Sequence, residues 1–179
     1  MSADRIILGS GGLYAMEFEG TIPETSAICV DENRLGYISG GATLEYKPTY
    51  YDAKDDLGFV MKSIITEEEA ILKAGVMTVD GNTIARLCET GRVSDSEGIR
   101  TVLIGGVGNK NGKKYVICFH HEDPTDGDIW IMIVGQNQAG FSMAFAKDKE
   151  TVIDAEFKAL PNLDKEGTLI KYIEETKQA

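Results

Sequence analysis

The fold is indicated first by residues 140–157, GFSMAFAKDKETVIDAEF. In the first part of this stretch, apolar side chains alternate with small ones: Phe141, Met143 and Phe145. In the second part, apolar side chains occupy the alternate positions Ile153, Ala155 and Phe157. A period of two is typical of strands, so we expect a β-hairpin. Its loop must hold an odd number of residues, for example residues 148–150, because only an odd loop length places both apolar sets on one face.

The opposite face of this hairpin carries small side chains and carboxylates, so it must meet water or another subunit. Similar alternation predicts further strands, over residues 13–19, 42–46, 59–65, 70–77, 101–104, 114–119, 128–134 and 168–173. The motif NKNG at 109–112 predicts a hairpin between the strands that flank it. The strand at 114–119 is apolar on both faces, which predicts cover from a second sheet and from a helix. We therefore expect a mainly β protein with two packed β-sheets.

One short α-helix is predicted from Asp80 to Thr90. Asp80 is a suitable N-cap, Ile84 and Leu87 lie on one apolar stripe, and Gly91 can close the helix in the left-handed conformation. A helix of about ten residues is too short to be stable alone, so it must pack against a sheet.

Length and charge narrow the possible functions. The 179 residues are expected to form a single domain, residues 1–179, with one sizeable core. A formal net charge of -11 argues against electrostatic binding to nucleic acid or to an anionic membrane. Three cysteines without paired spacing, Cys29, Cys88 and Cys118, are interpreted as free thiols in a reducing compartment. No signal peptide or spanning apolar run is evident, so we expect synthesis and folding in a cytoplasm.

Two segments lack a clear core-facing pattern. Residues 1–12 combine a short apolar patch with a glycine-rich run, which is typical either of a mobile N-terminal arm or of a frayed terminus. Residues 46–60 have no periodicity and are interpreted as a long loop between strands. Tyr50 and Tyr51 among charges favour an interface role for this loop, and an ordered loop lying on its own domain is the alternative.

Motifs for catalysis or ligand binding are weak. The glycines at 105–112 fit neither the dinucleotide nor the Walker pattern. Cys118 with the histidines at 120–121 lacks a second pair at zinc spacing, and the acidic residues at 123–128 lack the full calcium-loop pattern. Two adjacent histidines also leave a nucleophile little choice of base. We therefore expect no catalytic residue, no cofactor and no metal site, and we do not expect an enzyme.

Three stretches carry a resemblance to a known family: GGATLEYKPTYYDAKDDLG at 40–58, SIITEEEAILKAG at 63–75, and DGDIWIMIVGQNQAGFSMAFAKDKETVIDAEFKALPNLDKEGTLI at 126–170. With the strand order, they resemble the tail tube proteins, also called major tail proteins, of long-tailed bacteriophages. The similarity covers nearly the whole chain. The resemblance rests on the overall sequence and not on a motif, because this family has no catalytic motif.

The resemblance implies a sandwich or barrel-like tail tube fold of two packed β-sheets, with one short helix and a long inter-strand loop. It also implies hexameric rings that stack into a hollow tube, with the inner sheets of neighbours joined in one continuous barrel. Residues 1–12 would form an arm. The loop at 46–60 would bridge to the next ring, and its contact candidates are Tyr46, Tyr50, Tyr51, Asp52, Lys54, Asp55 and Asp56.

The implied function is to conduct genome DNA from the capsid into the host. The partners would be further copies of the chain and other tail proteins, namely the tape measure, tail tip and terminator proteins. DNA would pass through without specific binding, and no membrane would be involved. The protein would be made in the host bacterial cytoplasm and end in the tail of the virion.

An acidic surface suits such a conduit, because carboxylates repel phosphates over about 8 to 10 Å at physiological salt. We expect Asp154 and Glu156, on the polar side of their strand, to line the lumen. The same acidity makes subunits repel one another, so assembly should be salt-sensitive and can wait for a tip complex to nucleate it.

Two alternatives stay open. The tube of a phage-derived bacteriocin or of a contractile injection particle has a similar subunit, and only a neighbouring gene for a sheath or a capsid separates these cases. A monomeric β-sandwich binding module would instead stack sugar rings on aromatic residues, the candidates being Tyr14, Tyr50, Tyr51 and Trp130. Its solution size would distinguish it, since a binding module stays monomeric at every concentration.

Overall fold

A computed structural model describes residues 6–59, 61–161 and 163–176. It contains 48% strand and 10% helix, which confirms the mainly β class. The elements in chain order are β1 (Gly12–Glu17), α1 (Thr25–Ile28), β2 (Arg34–Gly36), β3 (Ile38–Lys54), β4 (Met61–Val76), α2 (Gly81–Leu87), β5 (Arg92–Ser96), β6 (Ile99–Leu103), β7 (Tyr115–His121), β8 (Ile129–Asn137), β9 (Ile153–Ala159) and β10 (Lys171–Glu174). Short 3-10 turns lie at Asp31–Asn33 and Val107–Asn109.

The large antiparallel sheet is curled so far that its two edges meet. Its strand order is β2-β1-β7-β8-β9-β4-β3, and β10 also pairs with β8. In a flat sheet the outermost strands, β2 and β3, would lie about 29 Å apart at roughly 4.8 Å per strand spacing. Only Tyr37 separates these strands in the chain. Tyr37 N donates to Thr78 Oγ1 at 2.6 Å and its carbonyl accepts from Met77 N at 2.8 Å, which ties this junction to the end of β4.

The sheet forks at β8, which divides it into two layers. The first half of β8 pairs with β10, from Glu174↔Ile129 to Lys171↔Met132. The second half pairs with β9, from Gly135↔Ala159 to Asn137↔Phe157. Gly135 stands at the fork because a Cβ there would lie 2.3 Å from the Lys158 carbonyl oxygen. The fork supports the expected two-sheet fold.

The main core lies between the two halves of the curled sheet. Side chains from β1, β7 and β8 meet those from β4 and β9, and α2 closes one end through Leu87. The largest fully buried members are Phe157, Leu13, Leu35, Leu72, Leu87, Ile117, Ile133 and Ile153. Each such side chain stabilises the fold by about 1.5–3 kcal/mol through removal from water.

A second apolar cluster lies on the other face of β7 and β8. Val116, Cys118, Met132 and Val134 are buried there against Ile28 of α1. The prediction that the strand at 114–119 is covered on both faces is therefore confirmed. One cover is the opposite half of the sheet with α2, and the other is the α1 segment.

The predicted helix begins where expected and ends early. Asp80 is the N-cap, and its Oδ1 accepts from Thr83 N at 2.8 Å. The helix ends at Leu87 because Cys88 takes an extended conformation, with φ -129° and ψ 118°. Gly91 is not among the glycines with positive φ, so the predicted left-handed closure at Gly91 is wrong.

The predicted hairpin at 140–157 is half wrong. Its second arm is β9, and Ile153, Ala155 and Phe157 all point into the core. Its first arm is not a strand, although Ala146 and Lys149 form an isolated bridge. Phe145 is 83% exposed. The local pairing loses because β9 instead forms ladders with β4 and β8, which place its apolar face in the main core.

The predicted NKNG hairpin is also wrong. β6 pairs with β5 in a separate two-stranded sheet, and β7 pairs with β1 and β8. The turn between β5 and β6 is formed by Glu97 and Gly98, with φ of 51° and 80°. Two consecutive positive φ values are the geometry of a tight hairpin turn, and Gly98 adopts it without strain. The tight hairpin turn is therefore formed by Glu97 and Gly98, and not by the Asn-Gly pair of the NKNG motif.

Candidate functional site

The segment predicted to be a long loop, residues 46–60, is a β-hairpin that projects from the sheet. β3 and β4 stay paired from Tyr46↔Ala70 out to Lys54↔Met61, and turn residues follow from 55. The last residue of the predicted loop, Val60, lies outside the described residues. The loop prediction failed because neither strand of this hairpin is buried by the domain, so the alternation that marks a half-buried strand is missing. We call residues 46–59 and 61–69 the arm; it is a different segment from the N-terminal residues 1–12.

A bulge lets the arm bend. The pairing Thr49↔Glu67 is followed by Tyr50↔Ile65, so Thr66 is an extra residue on β4. Its hydroxyl donates to the Thr49 carbonyl oxygen at 3.2 Å. Bulges bend the strand and increase its twist, and they are common where an edge leaves the body of a sheet.

The arm exposes an unusual amount of apolar surface. The large apolar side chains on it that face solvent are Tyr46, Tyr50, Tyr51, Leu57, Phe59, Met61, Ile64 and Ile65, with exposed fractions from 47% to 85%. A two-stranded hairpin in water is at best marginally stable alone. A contiguous exposed apolar patch marks an interaction site on a soluble protein. The arm is therefore the candidate functional site.

Both faces of the arm are apolar. Directly paired residues of an antiparallel ladder share a face, so Tyr50 and Ile65 lie on one side. Tyr51 and Ile64, the next pair, lie on the other side. An arm that lay flat on its own domain would need only one apolar face. Apolar pairs on both faces suit a segment that is covered from two sides.

Polar residues accompany these aromatics. The Tyr46 hydroxyl donates to Glu68 Oε1 at 2.5 Å, and this bond raises the pKa of Tyr46. The remaining contact candidates from the sequence, Asp52, Lys54, Asp55 and Asp56, are exposed at the outer end of the hairpin. The structure thus brings all seven predicted contact residues onto one projecting element.

A second candidate surface is the outward face of β9, β4 and β3. Asp154 and Glu156 point away from the core, between the buried side chains of β9. Register places five carboxylates and three lysines on this face: Asp154, Glu156, Glu67, Glu69, Glu45, Lys158, Lys73 and Lys47. Five negative and three positive charges leave a formal charge of -2.

Two of the three lysines on this face, Lys73 and Lys158, are paired with its carboxylates. Lys73 Nζ lies 3.3 Å from Glu45 Oε2 and 3.7 Å from Glu156 Oε1, and these carboxylates raise the pKa of Lys73. Lys158 Nζ lies 3.0 Å from Glu69 Oε2. The sequence identified Asp154 and Glu156 on β9 but not the lysines that lie near them. Lys73 and Lys47 come from the other strands, β4 and β3, and Lys158 lies at a partly buried position of β9.

The N-terminal arm predicted at residues 1–12 is only partly described. Residues 1–5 lie outside the described residues. Ile6, Ile7 and Leu8 are exposed, and β1 begins at Gly12. Between them, the Ser10 carbonyl oxygen lies 2.7 Å from Nδ1 of the buried His121.

The residues considered for metal or cation binding have other partners. His120 Nε2 lies 2.8 Å from Asp128 Oδ2, a bond that lowers the pKa of Asp128, and its ring stacks on Trp130. Asp123 Oδ1 accepts from the backbone N–H groups of Thr125 and Asp126. Among the described residues, no cluster of three or more His, Cys, Asp or Glu could hold a metal ion.

The aromatic platform suggested for a sugar-binding module does not form. Tyr14 is buried on β1 with only 6% exposed, and Trp130 stacks on His120 in β8. Tyr50 and Tyr51 lie on the arm, on opposite faces of it. These four side chains therefore offer no common surface.

No protein-family model matches this chain, and no curated protein matches it. Neither α1 nor α2, the helices in the part of the chain that the structure describes, has the length and apolar character to cross a bilayer.

Proposed function

We propose that this protein is a structural subunit that assembles with copies of itself through the arm. The single observation that carries the proposal is the projecting hairpin with eight large exposed apolar side chains on two faces. A monomeric protein would gain nothing from such a surface, and it would risk aggregation. A subunit that covers the arm in an assembly removes this surface from water.

The energy available from one arm sets the mode of assembly. Complete burial of a large apolar side chain contributes about 1.5–3 kcal/mol, so covering eight that are already partly buried contributes roughly 7–15 kcal/mol. Association costs about 4–15 kcal/mol in lost freedom before any gain appears. One arm contact is therefore weak, and a closed ring or a stack in which each subunit makes several such contacts is favoured.

The assembly we propose is a phage tail tube of stacked hexameric rings, as the resemblance implies. The arm would contact the next ring. The tape measure, tail tip and terminator proteins would be further partners, and the product would reside in the virion tail. The mainly β, two-layer architecture supports this proposal, because the resemblance implies two packed β-sheets with a short helix. A bacteriocin or injection-particle tube would use the same contacts.

The acidic balance supports a conduit role in this proposal. The outward face of β9, β4 and β3 would line the lumen, and its formal charge of -2 would repel passing DNA. The three lysines keep the charge of this face small, so the face itself adds little to the repulsion between neighbouring subunits, which rises with the net charge of -11 per chain. Asp154 and Glu156 remain the lumen candidates. No catalytic step is part of this function.

Sedimentation velocity over a concentration series tests self-assembly. We expect species far larger than one subunit, formed at lower concentration when salt screens the acidic charge. A single-subunit species at every concentration and salt, also after a tail tip complex has been added as a nucleus, would contradict the proposal.

A further inference from the structure

Two cysteines that are 89 positions apart in the chain touch inside the second apolar cluster. Cys29 Sγ lies 3.7 Å from Cys118 Sγ. Cys118 is fully buried on β7, and Cys29 is half-buried at the C-terminal end of α1, where its N–H donates to the Thr25 carbonyl oxygen. Both are free thiols. The contact joins a short covering segment to the centre of the main sheet.

The covering segment has few other ties. α1 is four residues long, and its N-cap Glu24 makes no side-chain capping bond. Ile28 is the buried residue of α1, and the neighbouring Ile22 and Cys29 pack partly buried against the same cluster. A covalent link at Cys29 would therefore attach α1, which is otherwise held to the main sheet by side-chain packing.

The distance between the sulfurs allows such a link. A disulfide places its sulfurs about 2.05 Å apart, so the present gap must close by roughly 1.7 Å for the bond to form. The hydrogen bond from Cys118 lowers the pKa of Cys29, and the same bond together with burial raises the pKa of Cys118. Cys29 is thus the group that ionises first and that an oxidant can reach.

We propose that Cys29 and Cys118 form an intramolecular disulfide when the protein meets a disulfide oxidant such as oxidised glutathione. The Cys29 thiolate attacks one glutathione sulfur, that S–S bond breaks, and one glutathione thiolate leaves. Cys118 then gives up its proton, attacks Cys29 Sγ, and expels the second glutathione thiolate. Two protons from the cysteines end on two glutathione thiols, and the two cysteines lose two electrons in total.

This site goes beyond the proposed function and does not depend on it. The link would tie the α1 segment to β7 and close a long chain loop. Closing a long loop stabilises mainly by restricting the unfolded chain. The protein would then be more resistant to unfolding in an oxidising medium than in the reducing compartment in which the sequence places its synthesis.

The test exposes the full reduced chain to oxidised glutathione and measures intact mass, peptide linkage and thermal unfolding. We expect the loss of two hydrogen atoms, a Cys29–Cys118 linked peptide, and a higher unfolding midpoint that dithiothreitol reverses. Cys88→Ser, at a half-buried cysteine outside the pair, should behave like the natural chain. Cys29→Ser should lose both the link and the midpoint shift.

Three results would overturn the proposal. The first is two free thiols at 29 and 118 after long exposure. The second is a glutathione adduct on Cys29 that persists without resolution. The third is a link that includes Cys88.

Discussion

Tyr50 pairs with Ile65 across the β3–β4 ladder, and both side chains are about half exposed, 56% and 51%. An aromatic and a β-branched residue side by side stabilise a ladder locally. Nothing in the described part of the same chain covers them enough to bury either one. The pair therefore links the local stability of the arm to the surface through which we propose that subunits assemble.

Replacing this pair should uncouple assembly from folding. The double variant Tyr50→Thr with Ile65→Thr keeps residues that favour strands but removes a directly paired aromatic and aliphatic side chain from one face. We expect the unfolding free energy to change by about 0.5 kcal/mol or less per site, as for exposed positions. Sedimentation should show that assembly is strongly reduced. The matched control is Ile99→Thr, at a 68% exposed position in the separate β5–β6 sheet, and it should assemble normally. Equal loss in both would place the interface elsewhere.

The corrected hairpin makes opposite predictions for two phenylalanines. Phe157 is 1% exposed in the main core, so Phe157→Ala should lower the unfolding free energy by about 3–5 kcal/mol. Phe145 is 83% exposed, so Phe145→Ala should change it by about 0.5 kcal/mol or less. Urea unfolding measures both. A large loss at Phe145 would restore the hairpin predicted from sequence.

The N-cap of α2 should give the protein a defined acid sensitivity. The backbone N–H of Thr83 holds the pKa of Asp80 below its ordinary value. Because the folded-state pKa is depressed, the stabilisation is complete above the ordinary carboxyl pKa. It is lost as pH falls from there through the lowered folded-state pKa. Asp80→Ala should lower the unfolding free energy at neutral pH by about 1 kcal/mol.

Asp80→Asn is the control for charge at this position. Asparagine caps a helix about as well as aspartate, so stability at neutral pH should stay near that of the natural chain. The variant lacks the titrating group, so its stability should fall less steeply on acidification. Unfolding curves over an acidic pH series measure the difference. Parallel acid profiles for the two proteins would show that Asp80 does not act as a charged cap.

Charge reversal on β9 tests the proposed lumen. Asp154→Lys with Glu156→Lys should leave tubes intact and slow DNA ejection, because the added cations attract phosphate. Reversal at 156 also brings a cation beside Lys73, so Glu156→Gln alone serves as the milder control, with a smaller delay. Ejection kinetics measured on assembled tails give the answer. Unchanged kinetics in the double reversal would remove both residues from the lumen.

The sequence predicted best the strands that contribute to the core, because burial gives them a regular apolar pattern. β8 and β9 follow the period expected for buried strands, and Asp80 marked the start of α2, because each signal is local. The positions of Ile153 and Phe157 in the core followed from alternation alone. The class of fold could therefore be predicted from the chain.

Strand partners could not be predicted in the same way. Whether Phe141 forms a strand depends on whether β9 finds a better partner, and β4 supplies one from far away in the sequence. The arm was not predicted as a pair of strands for a different reason. Tyr50 and Tyr51 lie on opposite faces of an uncovered hairpin, so neither face carries the apolar signal that marks a strand. Lys73, which pairs with Glu156, comes from β4, and the spacing of the two residues along the chain does not predict that contact.

Negative-stain electron microscopy of the purified protein, over a concentration and salt series, tests the central claim most directly. We predict rings or hollow tubes for the natural chain and for Ile99→Thr, with few or none for the Tyr50 and Ile65 double variant. Small single-subunit particles under every condition, even with a tail tip complex added as a nucleus, would contradict assembly through the arm. Tubes that form equally well without the Tyr50 and Ile65 pair would contradict it too.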